Sequence, residues 1–193
     1  MIGARIGHSL DPFLLRVYHL FLPDRSINPN IITIVALFFS LVCVPLVILD
    51  RHVLAGTALL VSGFFDVLDG AVARQTGRVT PFGGFLDSVL DRYADLAVAL
   101  AIFIYFSIRG DTFWAALTFV AAIGTALIPY IKARAEAAGI ECKSGLLERP
   151  ERTMLLVIGL WFGLLKTVIV LLAVFTHVTA LQRILIVRRS AGQ

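Results

Sequence analysis

Long runs of apolar residues, separated by short polar segments, dominate the chain. Two of them, residues 31–49 and 113–131, contain no charged residue and are each about as long as one membrane crossing. Two more, residues 154–165 and 167–187, are separated only by Lys166, which predicts a helical hairpin with a tight turn at that residue. Apolar runs of this kind are typical of helices that span a membrane.

Two further helices are predicted to combine an apolar half with a polar half. Residues 53–65 and 96–108 are apolar runs of 13 residues. As helices they would be only about 20 Å long, whereas the hydrocarbon core of a bilayer is roughly 30 Å thick. Each run must therefore be completed by the polar segment beside it. We expect helices over about residues 53–74 and 83–108, with their aspartates at or just inside one membrane surface.

The first 22 residues have a different pattern. Apolar side chains recur at helical spacing between residues 3 and 22, and charged or histidine side chains occupy the opposite face. This pattern is typical of a helix that lies along the membrane surface. The segment lacks the long apolar stretch of a removable signal peptide, so no such peptide is expected.

Composition agrees with a membrane protein. The chain has 193 residues, of which 59% are hydrophobic and 16% charged, and its mean hydropathy is +0.90. These values exclude a large independent soluble domain. We therefore predict an all-α integral membrane protein with six transmembrane helices and an N-terminal amphipathic surface helix. It should form one domain over residues 1–193, with transmembrane helices at about residues 29–50, 53–74, 83–108, 112–135, 150–165 and 167–188.

Lysine and arginine are distributed unequally between the two sides of such a bundle. Fourteen of the 17 fall on the side that carries both termini and the loops near residues 75–82 and 132–152. The positive-inside rule predicts that this side, which also carries the aspartates, faces the cytoplasm. The net charge of +4 follows from this orientation and from contact with anionic lipids. Nucleic-acid binding is not expected, because the basic residues are scattered over helix ends.

The most polar stretch lies between residues 66 and 91. Within it, two helix faces are predicted, the first with Asp66, Asp69, Gly70, Ala73 and Arg74, and the second with Gly83, Asp87 and Asp91. Four carboxylates in a membrane would repel one another and be costly to desolvate unless cations neutralise them. Oxygen-rich clusters suit hard divalent ions, Mg²⁺ above all, or Mn²⁺. The glycines leave space for a phosphate or ribose, and Arg74 could contact phosphate oxygens.

This stretch resembles the signature of the CDP-alcohol phosphotransferase family. The signature has the order D, two residues, DG, two residues, AR, eight residues, G, three residues, D, three residues, D. It is filled here by Asp66, Asp69, Gly70, Ala73, Arg74, Gly83, Asp87 and Asp91. The resemblance implies an enzyme in which an acceptor hydroxyl attacks the lipid-side phosphorus of a CDP-linked lipid. A phosphodiester forms and CMP is released, without a protein nucleophile.

The same resemblance implies roles for individual residues. Two divalent metal ions, Mg²⁺ or Mn²⁺, would be held by Asp66, Asp69 and Asp87, with Asp91 completing the set and acting as the general base. The nucleotide would contact Asp66, Asp69, Gly70, Ala73, Arg74 and Gly83. Thr80, Pro29 and Thr33 are further candidates for nucleotide binding, although helix capping explains them equally well. Asp95 continues the stripe of Asp87 and Asp91, either as a partner of the site or in a salt bridge with Arg92.

Basic residues elsewhere indicate the acceptor. The segments "YIKARAE", "ERPER" and "LDSVLDR" resemble the branch of the family that makes phosphatidylinositol phosphate or archaetidylinositol phosphate. The acceptor there is inositol phosphate. Arginines at a helix amino terminus are disfavoured by the helix dipole unless an anion is bound, which also favours a phosphorylated acceptor. The candidates for binding its phosphate are Lys132, Arg134, Arg149, Arg152 and Arg183. For each of them, membrane anchoring by positive charge is the alternative interpretation.

Several alternatives stay open. The same chemistry could use glycerol 3-phosphate or serine as the acceptor. Outside the enzymes, the acids could line a divalent-cation transporter, or the basic face could belong to a lipid-binding scaffold. A transporter should place its carboxylates near the membrane midplane, and a scaffold has no use for glycines interleaved with acids. Members of the family commonly form dimers, so we expect a homodimer, although the sequence does not identify its interface.

Overall fold

The computed structural model describes residues 28–142 and 145–191. Helices and short connections make up these residues, and no β-strand occurs among them. The helices are α1 (Pro29–Ile48), α2 (His52–Gln75), α3 (Pro81–Ser107), α4 (Thr112–Ala137), α5 (Arg149–Trp161) and α6 (Leu165–Ala191). The all-α prediction is therefore confirmed for the described part of the chain. The predicted surface helix at residues 3–22 lies outside it.

Four of these helices, α1, α2, α4 and α6, are long and apolar enough to cross a membrane. The other two differ for separate reasons. Helix α3 has 27 residues but carries four charged side chains between Asp87 and Asp95. Helix α5 has only 13 residues, a length of about 20 Å. Length and composition thus support an integral membrane protein.

The amino ends of α1 and α3 are capped by side chains and lie on the same side of the bundle. The backbone N–H of Asn30 donates to Asn28 Oδ1 at 3.1 Å, and Pro29 takes the first turn of α1. The backbone N–H of Gly83 donates to Thr80 Oγ1 at 3.0 Å at the start of α3. Because α2 runs antiparallel to its two neighbours along the chain, its carboxyl end and the amino ends of α1 and α3 meet at one side.

The main apolar core lies toward the opposite side. It is formed by the second halves of α1 and α3, the first half of α2, and the adjoining ends of α4, α5 and α6. Many of its members are small, including Ala55, Ala58, Ala101 and Ala115, and small residues let membrane helices approach closely. Apolar packing therefore consolidates one end of the bundle, and the polar residues of α2 and α3 occupy the other.

Polar and glycine contacts also join helices within the bundle. The buried hydroxyls of Ser40 on α1 and Ser62 on α2 lie 2.7 Å apart, and Ser62 also donates to the carbonyl of Ala36 at 2.8 Å. On the other side of the bundle, Gly124 of α4 faces Thr176 of α6, so closely that a methyl group on Gly124 would collide with it. These contacts fix the spacing of both helix pairs.

The last hairpin turns at a different place from the one predicted. Helix α5 ends at Trp161 instead of residue 165, and α6 begins at Leu165, so that Lys166 lies inside a helix. Gly163 has φ +69°, and the backbone N–H of Leu164 donates to the carbonyl of Gly159 at 2.9 Å. This is the pattern of a glycine-terminated helix. The polarity pattern did not predict this turn, because the helix ends at a glycine conformation and not at a polar residue.

Candidate active site

Three aspartates from two helices form a compact carboxylate cluster. Asp66 and Asp69 lie three residues apart on α2, and Asp87 lies on α3. One carboxylate oxygen from each lies within 4.8 Å of those of the other two. The hairpin between α2 and α3 therefore brings together acids that are 21 residues apart in the chain.

The residues of this cluster fit a divalent metal ion. Asp69 is buried, and its Oδ2 atom has no hydrogen-bond partner within the described residues. A buried carboxylate oxygen without a donor is costly unless a cation contacts it. Its neighbours Asp66 and Asp87 add negative charge, and carboxylate oxygens are the ligands that Mg²⁺ and Mn²⁺ prefer.

Asp91 lies one turn after Asp87 on α3 and is joined to the cluster by an arginine. The Oδ1 atom of Asp91 lies 2.8 Å from Nη1 of Arg149, and the same Nη1 forms an ion pair with Asp66. Arg92 lies 3.6 Å from the other oxygen of Asp91. The three aspartates that share one space are Asp66, Asp69 and Asp87, so a metal-binding role for Asp91 stays a prediction.

The predicted nucleotide residues surround the same end of the bundle. The side chain of Arg74 folds back along α2, where its Nη1 would lie 3.1 Å from a Cβ atom on Gly70. A Cβ atom on Gly83 would lie 3.1 Å from Thr80 Oγ1 and 3.2 Å from Asn30 Oδ1. Glycine at position 83 therefore allows the amino ends of α1 and α3 to approach each other closely. Ala73 is half-buried on α2.

The three further nucleotide candidates lie in the first turns of α1 and α3 or cap them. Thr80 caps α3, as described above, and Pro29 is buried in the first turn of α1. Thr33 donates to the carbonyl of Pro29 at 3.2 Å and lies beside the carboxylate of Asp69. Thr33 and Pro29 are thus next to the cluster, whereas a nucleotide contact from either stays a prediction.

Three of the five predicted acceptor-binding residues lie around the start of α5. Arg149 contacts the aspartates already named. Arg152 is buried, and its Nη2 atom donates to Asp95 Oδ2 at 2.9 Å. Arg183 of α6 is also buried; it donates to the carbonyl of Ile128 at 2.8 Å and lies 3.5 Å from Glu148. Each of these guanidinium groups therefore has an acceptor from a neighbouring helix or loop.

The other two predicted acceptor-binding residues lie on the exposed surface of α4. Lys132 is 3.9 Å from Glu136 in an ion pair one turn along the helix. Arg134 lines an open cavity of about 280 Å³ between α4 and α6, together with Tyr130 and Ile184. The structure thus separates Arg134 from the cavity that contains Arg149.

An apolar cavity of about 270 Å³ begins at the carboxylate cluster. It lies among α1, α2, α3 and α5, and apolar side chains make up most of its lining. Its polar lining includes Asp66, Asp95 and Arg149. The arrangement offers cation-binding oxygens and a guanidinium group beside a surface that suits hydrocarbon.

Two partners of the arginines were not identified from the sequence. Asp95 pairs with Arg149 and Arg152 of α5, although the stripe on α3 suggested only that it was near the site or paired with Arg92. Glu148 pairs with Arg183, which is 35 residues away. The stripe was a usable signal for Asp95, whereas no sequence pattern connects Glu148 with α6.

Comparison with known proteins identifies the family of the chain. The sequence pattern of the CDP-alcohol phosphatidyltransferase family matches residues 26–182. The chain is 37% identical over 164 residues to the archaetidylinositol phosphate synthase of Pyrococcus horikoshii, covering 84% of this chain and 85% of that protein.

Solved structures of a Mycobacterium tuberculosis phosphatidylinositol phosphate synthase have a similar fold. The crystal structure with CDP-DAG bound matches with a TM-score of 0.80 and 31% identity, covering 97% of this chain and 96% of that one. The crystal structure in complex with manganese and citrate also has a TM-score of 0.80, with 30% identity and coverage of 96% and 90%.

Proposed function

The chain belongs to the CDP-alcohol phosphatidyltransferase family, and from this premise we propose which reaction it catalyses. It is a membrane phospholipid synthase. It transfers a phosphatidyl-type group from a CDP-linked lipid, CDP-diacylglycerol or CDP-archaeol, to the hydroxyl of inositol phosphate and releases CMP. The observation that carries this proposal is the cluster of Asp66, Asp69 and Asp87 at an apolar cavity, beside Arg149.

The carboxylates have two roles in this reaction. Asp66, Asp69 and Asp87 hold the divalent ions, Mg²⁺ or Mn²⁺, and Asp91 completes the set. Bound divalent ions supply Lewis-acid stabilisation of the charge that develops on phosphate oxygens. Asp91 accepts the proton of the acceptor hydroxyl. The hydroxyl oxygen bonds to the lipid-side phosphorus, and the bond between this phosphorus and the oxygen of CMP breaks. The position of Asp91 one turn after Asp87 on α3 supports its role as the base, because it places the carboxylate beside the cluster.

The nucleotide binds along the polar end of α2. Gly70 and Ala73 leave room for it, and Arg74 contacts a phosphate. Gly83 and Thr80 contact it from the start of α3, with Pro29 and Thr33 adding contacts from α1. The position of these residues around one end of the bundle supports this proposal, as does the family signature. The apolar cavity beside Asp66 suits the lipid part of the same substrate.

The phosphate of the acceptor binds the arginines near the start of α5. Arg149 makes the contact nearest to the carboxylates, and the buried Arg152 and Arg183 add positive charge around it. Lys132 and Arg134, on the exposed surface of α4, attract the anionic acceptor from outside this cavity. Resemblance to synthases named for archaetidylinositol phosphate and phosphatidylinositol phosphate supports this acceptor. Glycerol 3-phosphate is the second candidate, because its phosphate could bind the same guanidinium groups. Serine, which has no phosphate, is less well matched to them.

We propose that all six helices cross the cytoplasmic membrane, as one domain. The helix predicted at residues 3–22 lies on the surface, and both termini and the active site face the cytoplasm. The excess of lysine and arginine on that side supports the orientation.

The active form is proposed to be a homodimer. Light scattering of the purified protein, corrected for detergent, should then give twice the chain mass of 21.1 kDa; the mass of one chain would exclude a dimer.

An acceptor panel tests the proposed reaction. The purified protein is given CDP-diacylglycerol or CDP-archaeol, Mn²⁺, and one acceptor at a time: inositol phosphate, glycerol 3-phosphate, serine or inositol. We expect CMP release and lipid product with inositol phosphate alone, because only this acceptor in the panel carries both a phosphate and an inositol ring. Equal or faster turnover with glycerol 3-phosphate would assign the other acceptor, and turnover with none would refute the proposal.

A further inference from the structure

Asp95 is placed between two arginines of a neighbouring helix. Its Oδ2 atom lies 2.9 Å from Nη2 of Arg152, and its Oδ1 atom lies 3.5 Å from Nε of Arg149. The side chain of Arg152 is only 6% exposed and that of Asp95 is 15% exposed. The carboxylate therefore neutralises the almost completely buried guanidinium group of Arg152, and it lies near Arg149, whose closer partners are Asp66 and Asp91.

The two arginines need this carboxylate for a physical reason. They lie three residues apart in the first turn of α5, on the same side of the helix. Their charges repel each other, and the positive end of the helix dipole adds to the repulsion. A buried charge without a partner is strongly destabilising. Asp95 supplies the anion, and the carbonyl of Leu147 accepts a further contact from Arg152 at 3.4 Å.

Asp95 is also separate from the metal-binding cluster. It lies one turn beyond Asp91 on the stripe of α3, and the three carboxylates that share one space do not include it. Its direct ion pairs are with arginines alone. The role that its contacts support is therefore directed at the arginines and not at a metal ion.

We propose that Asp95 is a positioning residue for the acceptor. By holding Nη2 of Arg152, it fixes the first turn of α5 against α3, and this turn also carries Arg149, the proposed contact of the acceptor phosphate. This inference rests on the proposed function, because it takes Arg149 to bind that phosphate. It goes further by assigning the placement of the first turn of α5 to a residue outside the family signature.

The test is Asp95→Asn in the full-length protein, assayed with CDP-diacylglycerol, inositol phosphate and Mn²⁺. Asparagine keeps the shape of the side chain but removes the charge that holds Arg152. We expect the KM for inositol phosphate to rise about tenfold, equal to about 1.4 kcal/mol. The KM for CDP-diacylglycerol should change less than about twofold. Calorimetric binding of inositol phosphate to the variant should weaken by the same factor as its KM rises.

A matched control is Asp111→Asn, which removes the aspartate of an ion pair with Lys166 at 3.3 Å in another part of the bundle. Both of its KM values should equal those of the wild type. If Asp95→Asn does not fold, the double variant Asp95→Asn with Arg152→Gln removes both buried charges and leaves none unpaired. It should show a rise in KM for inositol phosphate no larger than that of Arg152→Gln alone, because Asp95 acts through Arg152; a larger rise would mean that Asp95 acts by another route.

The outcomes separate the two proposals. An unchanged KM for inositol phosphate in whichever variant folds, with a wild type that turns over this acceptor, would overturn the role of Asp95 alone. Equal increases in both KM values would also overturn it, because a general structural role does not distinguish the substrates. A wild type that does not use inositol phosphate would overturn the proposed function, and the inference with it.

Discussion

Ion pairs between helices define the site at the scale of single residues. Arg149 of α5 contacts carboxylates of α2 and α3, and Arg152 contacts α3. These pairs have low exposure, so they are less screened by solvent than surface pairs are. Substitution of one member therefore affects its partners as well, which makes conservative replacements the informative ones.

Asp91→Asn tests the general base. The amide cannot accept a proton, so kcat for CMP release should fall by roughly 100-fold or more. Asn has nearly the same shape, and the unfolding temperature should stay close to that of the wild type. Initial rates of CMP release at saturating substrates measure the effect.

The control for this change is Asp50→Asn, in the turn between α1 and α2. Asp50 has φ +64°, a conformation that asparagine also tolerates, and its side chain is 58% exposed. This variant should retain wild-type kcat. A kcat above one tenth of the wild-type value in Asp91→Asn would be incompatible with Asp91 as the base.

Small residues determine how closely the helices pack at the scale of elements. Gly56 of α2 accommodates Trp161 of α5, and Gly159 of α5 accommodates Val168 of α6. Gly124 of α4 does the same for Thr176 of α6. In a membrane, where helices gain little from excluding water, such close contact is a main source of association. The elements that carry the site are therefore held in place partly by residues without side chains.

Gly124→Ala tests this packing. The added methyl group would overlap Thr176, which is itself held by a hydrogen bond from its hydroxyl to the carbonyl of Leu172. The helices must separate, and we expect a loss of about 1–3 kcal/mol in the free energy of unfolding. Equilibrium unfolding in mixed micelles provides the measurement.

Gly84→Ala is the matched glycine control. Among the described residues, a Cβ atom at Gly84 has no neighbour within 4 Å, so alanine should be neutral or slightly stabilising through its higher helix propensity. Equal stability of the two variants would show that the contact between Gly124 and Thr176 does not limit how closely α4 and α6 pack.

The two ends of the bundle differ in character at the scale of the whole molecule. One end contains the carboxylate cluster and the arginines of α5. At the other, Asp50 accepts a hydrogen bond from Tyr105 at 3.2 Å, and Arg109 lies 3.8 Å above the centre of the Tyr105 ring. The second network links the turn after α1 to the end of α3 and involves none of the proposed site residues. The proposed active site and the network around Tyr105 thus lie at opposite ends of the bundle.

Single cysteines test which end faces the cytoplasm. Val79, between α2 and α3, and Phe162, between α5 and α6, are exposed by 70% and 69%. In intact cells, a membrane-impermeant maleimide should label Phe162→Cys, and should label Val79→Cys only after permeabilisation. The native Cys43 and Cys142 are both buried, and the unaltered protein measures their background labelling. The reverse pattern would invert the proposed orientation.

The sequence by itself determined the helical architecture, the carboxylate stripes and the family resemblance. These features depend on residue spacing and hydrophobicity within single helices, and they do not require knowledge of how the helices pack. It did not determine the turn at Gly163, because a glycine within an apolar run changes no polarity. It also did not assign Asp95 to Arg149 and Arg152, or Glu148 to Arg183. Only the tertiary structure decided those pairs, since a charge between packed helices is neutralised by whichever opposite charge the packing brings near it.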